Sequence, residues 1–148
     1  MLGEWEGIGY GQGLDGVTQA KLSDPVRRFL TDDVVTVERL NLLLFMHRHA
    51  SRWWAARTLA AELEMPADAV QLHLEHLSAR NLLDVRIAES VIYRYLPARE
   101  ELSELVEEVA RAHYLHRDAV VAVLASRLNG SARLFADAFQ LRKGKRDG

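Results

Sequence analysis

At 148 residues and 49% hydrophobic composition, the chain holds enough apolar material for one ordinary domain with appendages, and two full domains are not expected. It contains no cysteine, which excludes disulfide frameworks, thiol nucleophiles and thiolate metal sites, and nothing points to an oxidising compartment; a cytoplasmic setting is the expectation. The formal net charge is only -2 but unevenly spread: segment 127–148 carries six bases against two acids, whereas 36–97 balances at seven and seven, so the folded part lacks the basic surplus of a dedicated nucleic-acid binder.

The glycine-rich start comes first. Six of the nine glycines fall in the first sixteen residues, and Gly7, Gly9, Gly11 and Gly13 alternate through GIGYGQG, which reads as an arm (1–22) pinned by Trp5, Ile8, Tyr10 and Leu14. A phosphate-binding glycine loop would need a strand before it and a helix after it to aim backbone N–H groups at the anion, and neither is visible. The N-terminus has no basic start followed by an apolar stretch, so no secretory signal is expected. The longest apolar runs, Leu42 to Met46 and Ala119 to Ala125, fall far short of the ~20 residues a bilayer-spanning helix needs, and no membrane partner is expected.

A domain follows over 23–97. Ser23-Asp24-Pro25 opens a short helix to about Leu30, with a capping hydroxyl before a proline in the first turn. Thr36 caps a second helix, VERLNLLLFMHRH, which is apolar on most sides between Leu40 and Met46 and so reads as a buried central element. Ala50 to Trp54 reads as extended; Trp53 and Trp54 then point to opposite sides, one sealing the core and the other meeting the hairpin or a partner chain. A third helix, Arg57 to Glu64, turns Leu59, Ala60 and Leu63 inward and is cut at Met65-Pro66. The next, PADAVQLHLEHLSAR, sets Val70, Leu74 and Leu77 on one inward face, with Asn81 as a left-handed stop. Two β-branched and aromatic runs, Leu82 to Ile87 and Val91 to Leu96, flank Ala88-Glu89-Ser90 and are closed by Pro97, which predicts a β-hairpin. The fold class is therefore mainly α with a small β-hairpin (α+β).

Beyond Pro97, the segment 98–126 reads as one long amphipathic helix from Glu100 to about Ser126, acidic in its first turns as the helix dipole prefers. Its seam, Leu102, Val106, Val109, His113, His116, Val120 and Val123, advances in steps of four and three and wants a partner helix. The expectation is a dimerisation helix in a homodimer; the alternative is that it folds back on its own domain. Across a dimer, four imidazoles from His113 and His116 would repel when protonated near pH ~6, so acid would weaken self-association. Asn129-Gly130 breaks the helix, SARLFADAFQL resumes helical spacing with Leu134, Phe135, Ala138, Phe139 and Leu141, and RKGKR follows as a basic tail, so 127–148 reads as a short amphipathic helix and tail.

The order helix, short strand, helix, turn, helix, hairpin across 36–97 resembles the winged helix-turn-helix domain of MarR-like and PadR-like bacterial transcriptional regulators. That resemblance implies a dimeric DNA-binding regulator without catalytic activity, whose third domain helix enters the major groove of duplex DNA. The residues on that helix's outward side are Asp68, Leu72, Glu75, His76 and Ala79, with Gln71 at the border. Gln71 can read adenine and an acid can accept from cytosine, but phosphate contact dominates affinity, and the cations at hand are Arg80 on the helix and Arg86 and Arg94 on the hairpin. The acidic, apolar face equally suits a protein-interaction (adaptor) module that does not bind DNA, with Leu72, Ala79 and the stripe Leu134, Phe135 and Phe139 as contacts. Arg48, Arg52, Arg57 and the Arg142 to Arg146 tail are further cations for phosphates.

Three close histidine pairs, His47/His49, His73/His76 and His113/His116, have spacings that could share a metal. Metal-sensing ArsR-like winged helices add carboxylate ligands at spacings this chain does not reproduce, so no metal and no cofactor is expected. No nucleophile elbow, motif-placed carboxylate pair or glycine loop accompanies the histidines, and the chain is not expected to be an enzyme. A ligand pocket between the domain and the dimer helices would fit the resembled families, but no residue identifies a ligand.

Overall fold

The computed structural model of the chain describes residues 22–126. The glycine-rich arm and the amphipathic stripe with its basic tail therefore lie outside the described residues.

Helix α1 (Asp24–Arg28) starts where the capping chemistry predicts, with the Ser23 hydroxyl accepting from the Val26 N–H at 3.3 Å and Pro25 in the first turn. It runs directly into a π-helical stretch, Phe29–Val34, which buries Phe29, Leu30 and Val34. The stretch ends in a γ-turn: the Thr36 N–H donates to the Val34 carbonyl at 2.8 Å around Val35, whose φ is 76° and ψ -44°. A β-branched residue at positive φ is costly, and Val35 is held there by its own N–H on the Leu30 carbonyl at 2.8 Å and by the capped helix that follows.

Helix α2 (Val37–Arg48) is capped by Thr36, whose Oγ1 accepts from the Arg39 N–H at 3.1 Å. It buries Leu40, Leu42, Leu43, Leu44 and Met46, the central role its all-round apolarity predicts. The short strand β1 (Trp54–Ala55) leads without a loop into α3 (Ala56–Leu63), which Glu64 ends in the left-handed region at φ 54° just before Pro66. Helix α4 (Ala67–Ala79) turns Val70, Leu74 and Leu77 fully inward, each 0% exposed. Asn81 stops the chain at φ 65° while the Leu82 N–H returns to the Leu77 carbonyl at 3.1 Å.

Strands β2 (Leu83–Ile87) and β3 (Val91–Tyr95) pair antiparallel from Leu83↔Tyr95 to Ile87↔Val91, with the Ala88-Glu89-Ser90 turn between them. The short extended segment expected at Ala50 to Trp54 falls at Trp54–Ala55 and joins the hairpin as a third strand. β1 pairs with β3 through Trp54↔Tyr93 and Ala55↔Ile92, giving the order β1-β3-β2. The class is α+β, with helices packed over a small three-stranded antiparallel sheet.

The single long helix expected from Glu100 to about Ser126 is corrected by a break. Helix α5 (Glu100–Leu115) ends at His116 (φ -137°, ψ 52°), and helical backbone resumes over 117–126, where the His116 carbonyl accepts from the Ala119 and Val120 N–H groups at 3.0 and 3.2 Å. An unbroken helix of that length would extend about 40 Å, longer than a domain this size can cover. The bend returns Ala119, Val120 and Leu124 to the same core that holds Val106, Val109 and Ala112. The seam is thereby largely spent inside the protomer: Val106, Val109 and Val120 are 0% exposed within one chain, and Leu102, His113, His116 and Val123 are half-buried. Among the described residues no helix is long and apolar enough to cross a membrane.

Candidate functional site

The side of α4 opposite Val70, Leu74 and Leu77 is open to solvent. Asp68, Leu72, Glu75 and Ala79 are exposed, Leu72 to 64%. Gln71 sits at the border as its helical angle requires, half-buried, and its amide Nε2 donates to Glu75 Oε2 at 2.7 Å and to the Tyr93 hydroxyl at 3.1 Å. That second bond ties α4 to β3, and both N–H groups of the amide, one of which adenine N7 would need, are already engaged. Arg80, the cation at the end of α4, pairs its Nη1 with Asp33 Oδ1 at 3.3 Å. An exposed pair of this kind contributes ~0–1 kcal/mol and could exchange partners.

His76 does not lie on the open face. It is half-buried on the α2 side of α4, with Nε2 buried and without a hydrogen-bond partner among the described residues. The helix rotates it about 40° past Leu72, enough to bring it under Arg39, Arg80 and Asp33. Beside it, Arg39 Nε donates to His73 Nδ1 at 3.1 Å, a bond that requires that nitrogen to be unprotonated. Burial, with Arg39 next, holds the His73 imidazole below its ordinary pKa, and burial followed by Arg39 and Arg80 does the same to His76. His113 is lowered by burial and then by Arg117 and Arg48.

These three shifts have one sign. Each native imidazole resists a proton that the unfolded chain accepts once pH falls below its ordinary value of 6.5, so stability is full above that value and declines on the acid side. Urea midpoints measured at about pH 7.5 and about pH 5.5 should therefore differ, with the acid midpoint lower. An acid midpoint equal to or above the neutral one would contradict the buried placement of these rings.

The face of the sheet turned away from α4 carries a different constellation. Trp53 is half-buried and lies under two guanidinium groups, those of Arg86 and Arg94, each 4.5 Å from its ring. Arg94 also pairs with Asp84 across the hairpin at 3.1 Å. Trp54, one residue on, faces the core at 2% exposure, edge-on to Phe45 at 5.3 Å, and Arg52 covers it at 4.2 Å. Arg86 and Arg94 bring two guanidinium groups to this face, whereas Arg52 and the exposed Arg48 lie over Trp54 and Phe45.

The remaining histidines take structural places. His47 Nε2 donates to Glu107 Oε2 at 2.8 Å, fastening α2 to α5, and the His49 ring lies tilted against Phe45 at 4.6 Å at the end of α2. Among the described residues no group of three or more His, Cys, Asp or Glu is placed to hold a metal ion. A cavity of about 230 Å³ opens between α1 and α5, lined by Val26 and Ala112 and by Glu108, Arg111 and His116. Its carboxylate Glu108 already accepts from the Ser23 hydroxyl at 3.0 Å.

Sequence reasoning missed Arg39 and Asp33, the residues that engage the α2 side of α4, because neither belongs to a local pattern and their partners lie tens of residues away. It also treated Arg86 and Arg94 as free cations. The period-2 alternation does put Arg94, Arg86 and Trp53 on one face, but only once the pairing of β1 with β3 is known. No protein-family model, no curated protein and no solved structure matches this chain.

Proposed function

We propose that the chain is a winged helix-turn-helix module that recognises a protein partner through the outward face of α4 and the tip of the β2–β3 hairpin, without catalysis. The element order α2, β1, α3, α4, β2, β3, with β1 beside β3, supports the winged-helix reading. The observation that carries the choice of partner is the face itself: Asp68, Leu72, Glu75 and Ala79 point outward, and the helix's terminal cation is taken by Asp33. Phosphate neutralisation supplies essentially all non-specific duplex affinity, and this face offers only Arg80, already paired with Asp33, against the carboxylates of Asp68 and Glu75. An exposed leucine between acids suits an apolar, basic segment of another protein.

Duplex DNA is the second reading. It is favoured by the guanidinium groups of Arg86 and Arg94 on the far side of the sheet. Fluorescence anisotropy of a labelled random duplex, titrated at physiological salt and then across a salt series, separates the two. The protein reading expects binding weaker than the ~10⁻⁴ to 10⁻⁶ M of ordinary non-specific binders. Affinity within that range that falls steeply with salt would move the assignment to DNA. On the protein side, a partner retained by the wild-type chain should be lost with Leu72→Glu; equal retention would remove α4 from the interface. A homodimer enters this reading through surface other than the seam, and Tyr114 and Leu115 near the end of α5, 85% and 62% exposed, offer the apolar area for it.

A further inference from the structure

The open side of α4 and the tip of the hairpin beside it each expose apolar side chains next to carboxylates. Leu72, Ile87 and Val91 are 64%, 82% and 39% exposed, and α4 is fastened beside the hairpin by the Gln71–Tyr93 bond. Asp68, Glu75 and Glu89 surround them, and among the described residues no cation pairs with any of the three. Glu75 takes only the neutral Gln71 amide.

The chain continues for 22 residues past the last described residue, Ser126. Their sequence is the chemical complement of this surface: Leu134, Phe135, Ala138 and Phe139 recur at helical spacing, and Arg142, Lys143, Lys145 and Arg146 follow immediately. The five residues 127–131 span up to about 17 Å if extended, and each further residue adds ~3.4 Å. An apolar stripe with a basic end needs both a hydrophobic bed and negative charge, and the α4–hairpin surface supplies both.

We propose that residues 131–146 dock on the α4–hairpin surface of their own chain, Phe135 and Phe139 against Leu72 and Ile87 with the basic run beside Asp68 and Glu75, and so occupy the surface an external partner would need. This rests on the protein-recognition reading for its consequence, because the tail then competes intramolecularly with a basic, apolar partner segment. The tether gives the tail a high effective concentration, and a partner must exceed it to bind.

The absence of cysteine makes paired-cysteine cross-linking a clean test in the full-length chain. Leu72→Cys with Phe139→Cys probes the docked state; Arg86→Cys with Phe139→Cys probes the opposite face of the sheet. Leu72 and Arg86 are both exposed, so neither change should prevent folding. Under mild oxidation, the first pair should form an intramolecular disulfide at least about fivefold faster than the second, and adding Asp68→Lys and Glu75→Lys should remove that advantage. Equal rates, an advantage unaffected by the charge reversals, or disulfide-linked dimers in place of the intramolecular product would each overturn the proposal. The outcome is separable from the functional reading: a duplex-binding chain that still cross-links at Leu72 would retain the docked tail and lose the protein partner.

Discussion

Replacing Trp54 with alanine should cost about 3–5 kcal/mol, whereas the same change at Trp53 should cost only about 1–2 kcal/mol. The two residues are neighbours of one type, so the contrast isolates what the sheet does with them. Trp54 is 2% exposed and pairs with Tyr93 at the start of β1, edge-on to Phe45; its removal would open a void where β1, β3 and the end of α2 meet. Trp53 lies on the outer face under Arg86 and Arg94, where truncation gives up partial burial and two cation–π contacts but no core volume. Against a domain stability of ~5–15 kcal/mol, the first loss is a large fraction and the second is not. Urea unfolding followed by far-ultraviolet circular dichroism measures both, and similar losses at the two positions would mean that the alternation across β1 is wrong.

Val109→Asp should be more damaging still, costing about 4 kcal/mol or more, and the damage should not depend on protein concentration. Val109 is 0% exposed within a single chain and belongs to the cluster that also holds Leu22, Val26 and Val106. A carboxylate there would have no cation or hydrogen-bond donors waiting for it, and burying an unpaired charge is one of the few routes to losses of this size. If α5 instead pairs its seam with a second copy, the same substitution will chiefly dissociate subunits. Thermal scans of wild type and variant over a hundredfold dilution distinguish the cases: a loss on Val109→Asp that is the same at every concentration fits the folded-back seam, and one that shrinks on dilution does not.

What was readable in advance follows the range of the interactions involved. The caps at Ser23 and Thr36, the inward face of α4, the left-handed Asn81 and the antiparallel hairpin all depend on residues within a few positions of one another, and each appears in the structure. The seam was identified correctly as apolar, yet periodicity states that a helix has a partner without stating which one. Its partners are α1 and the core of the same chain, and the break at His116, with neither glycine nor proline to mark it, is set by where Val120 and Leu124 can be buried. At the candidate site, the outward set Asp68, Leu72, Glu75 and Ala79 followed from helical angles alone. Gln71, His76, Arg80, Arg86 and Arg94 have their chemistry set by Tyr93, Arg39, Asp33, Trp53 and Asp84, most of them distant in sequence and contacted only after folding.

The order of the sheet has a consequence for how the protein behaves when crowded. With β3 in the middle, β2 has a neighbour on one flank only among the described residues, and the backbone donors and acceptors along its other flank form a template for an additional strand. Val85 and Ile87, 44% and 82% exposed, would make such an addition adhesive. Asp84 and Arg86 alternate with them, and each forces a stacking strand to accommodate a charge at every second position. The five-residue length of β2 limits the prize further, so the same short charged strand that displays the hairpin also guards the molecule against fibrous self-assembly.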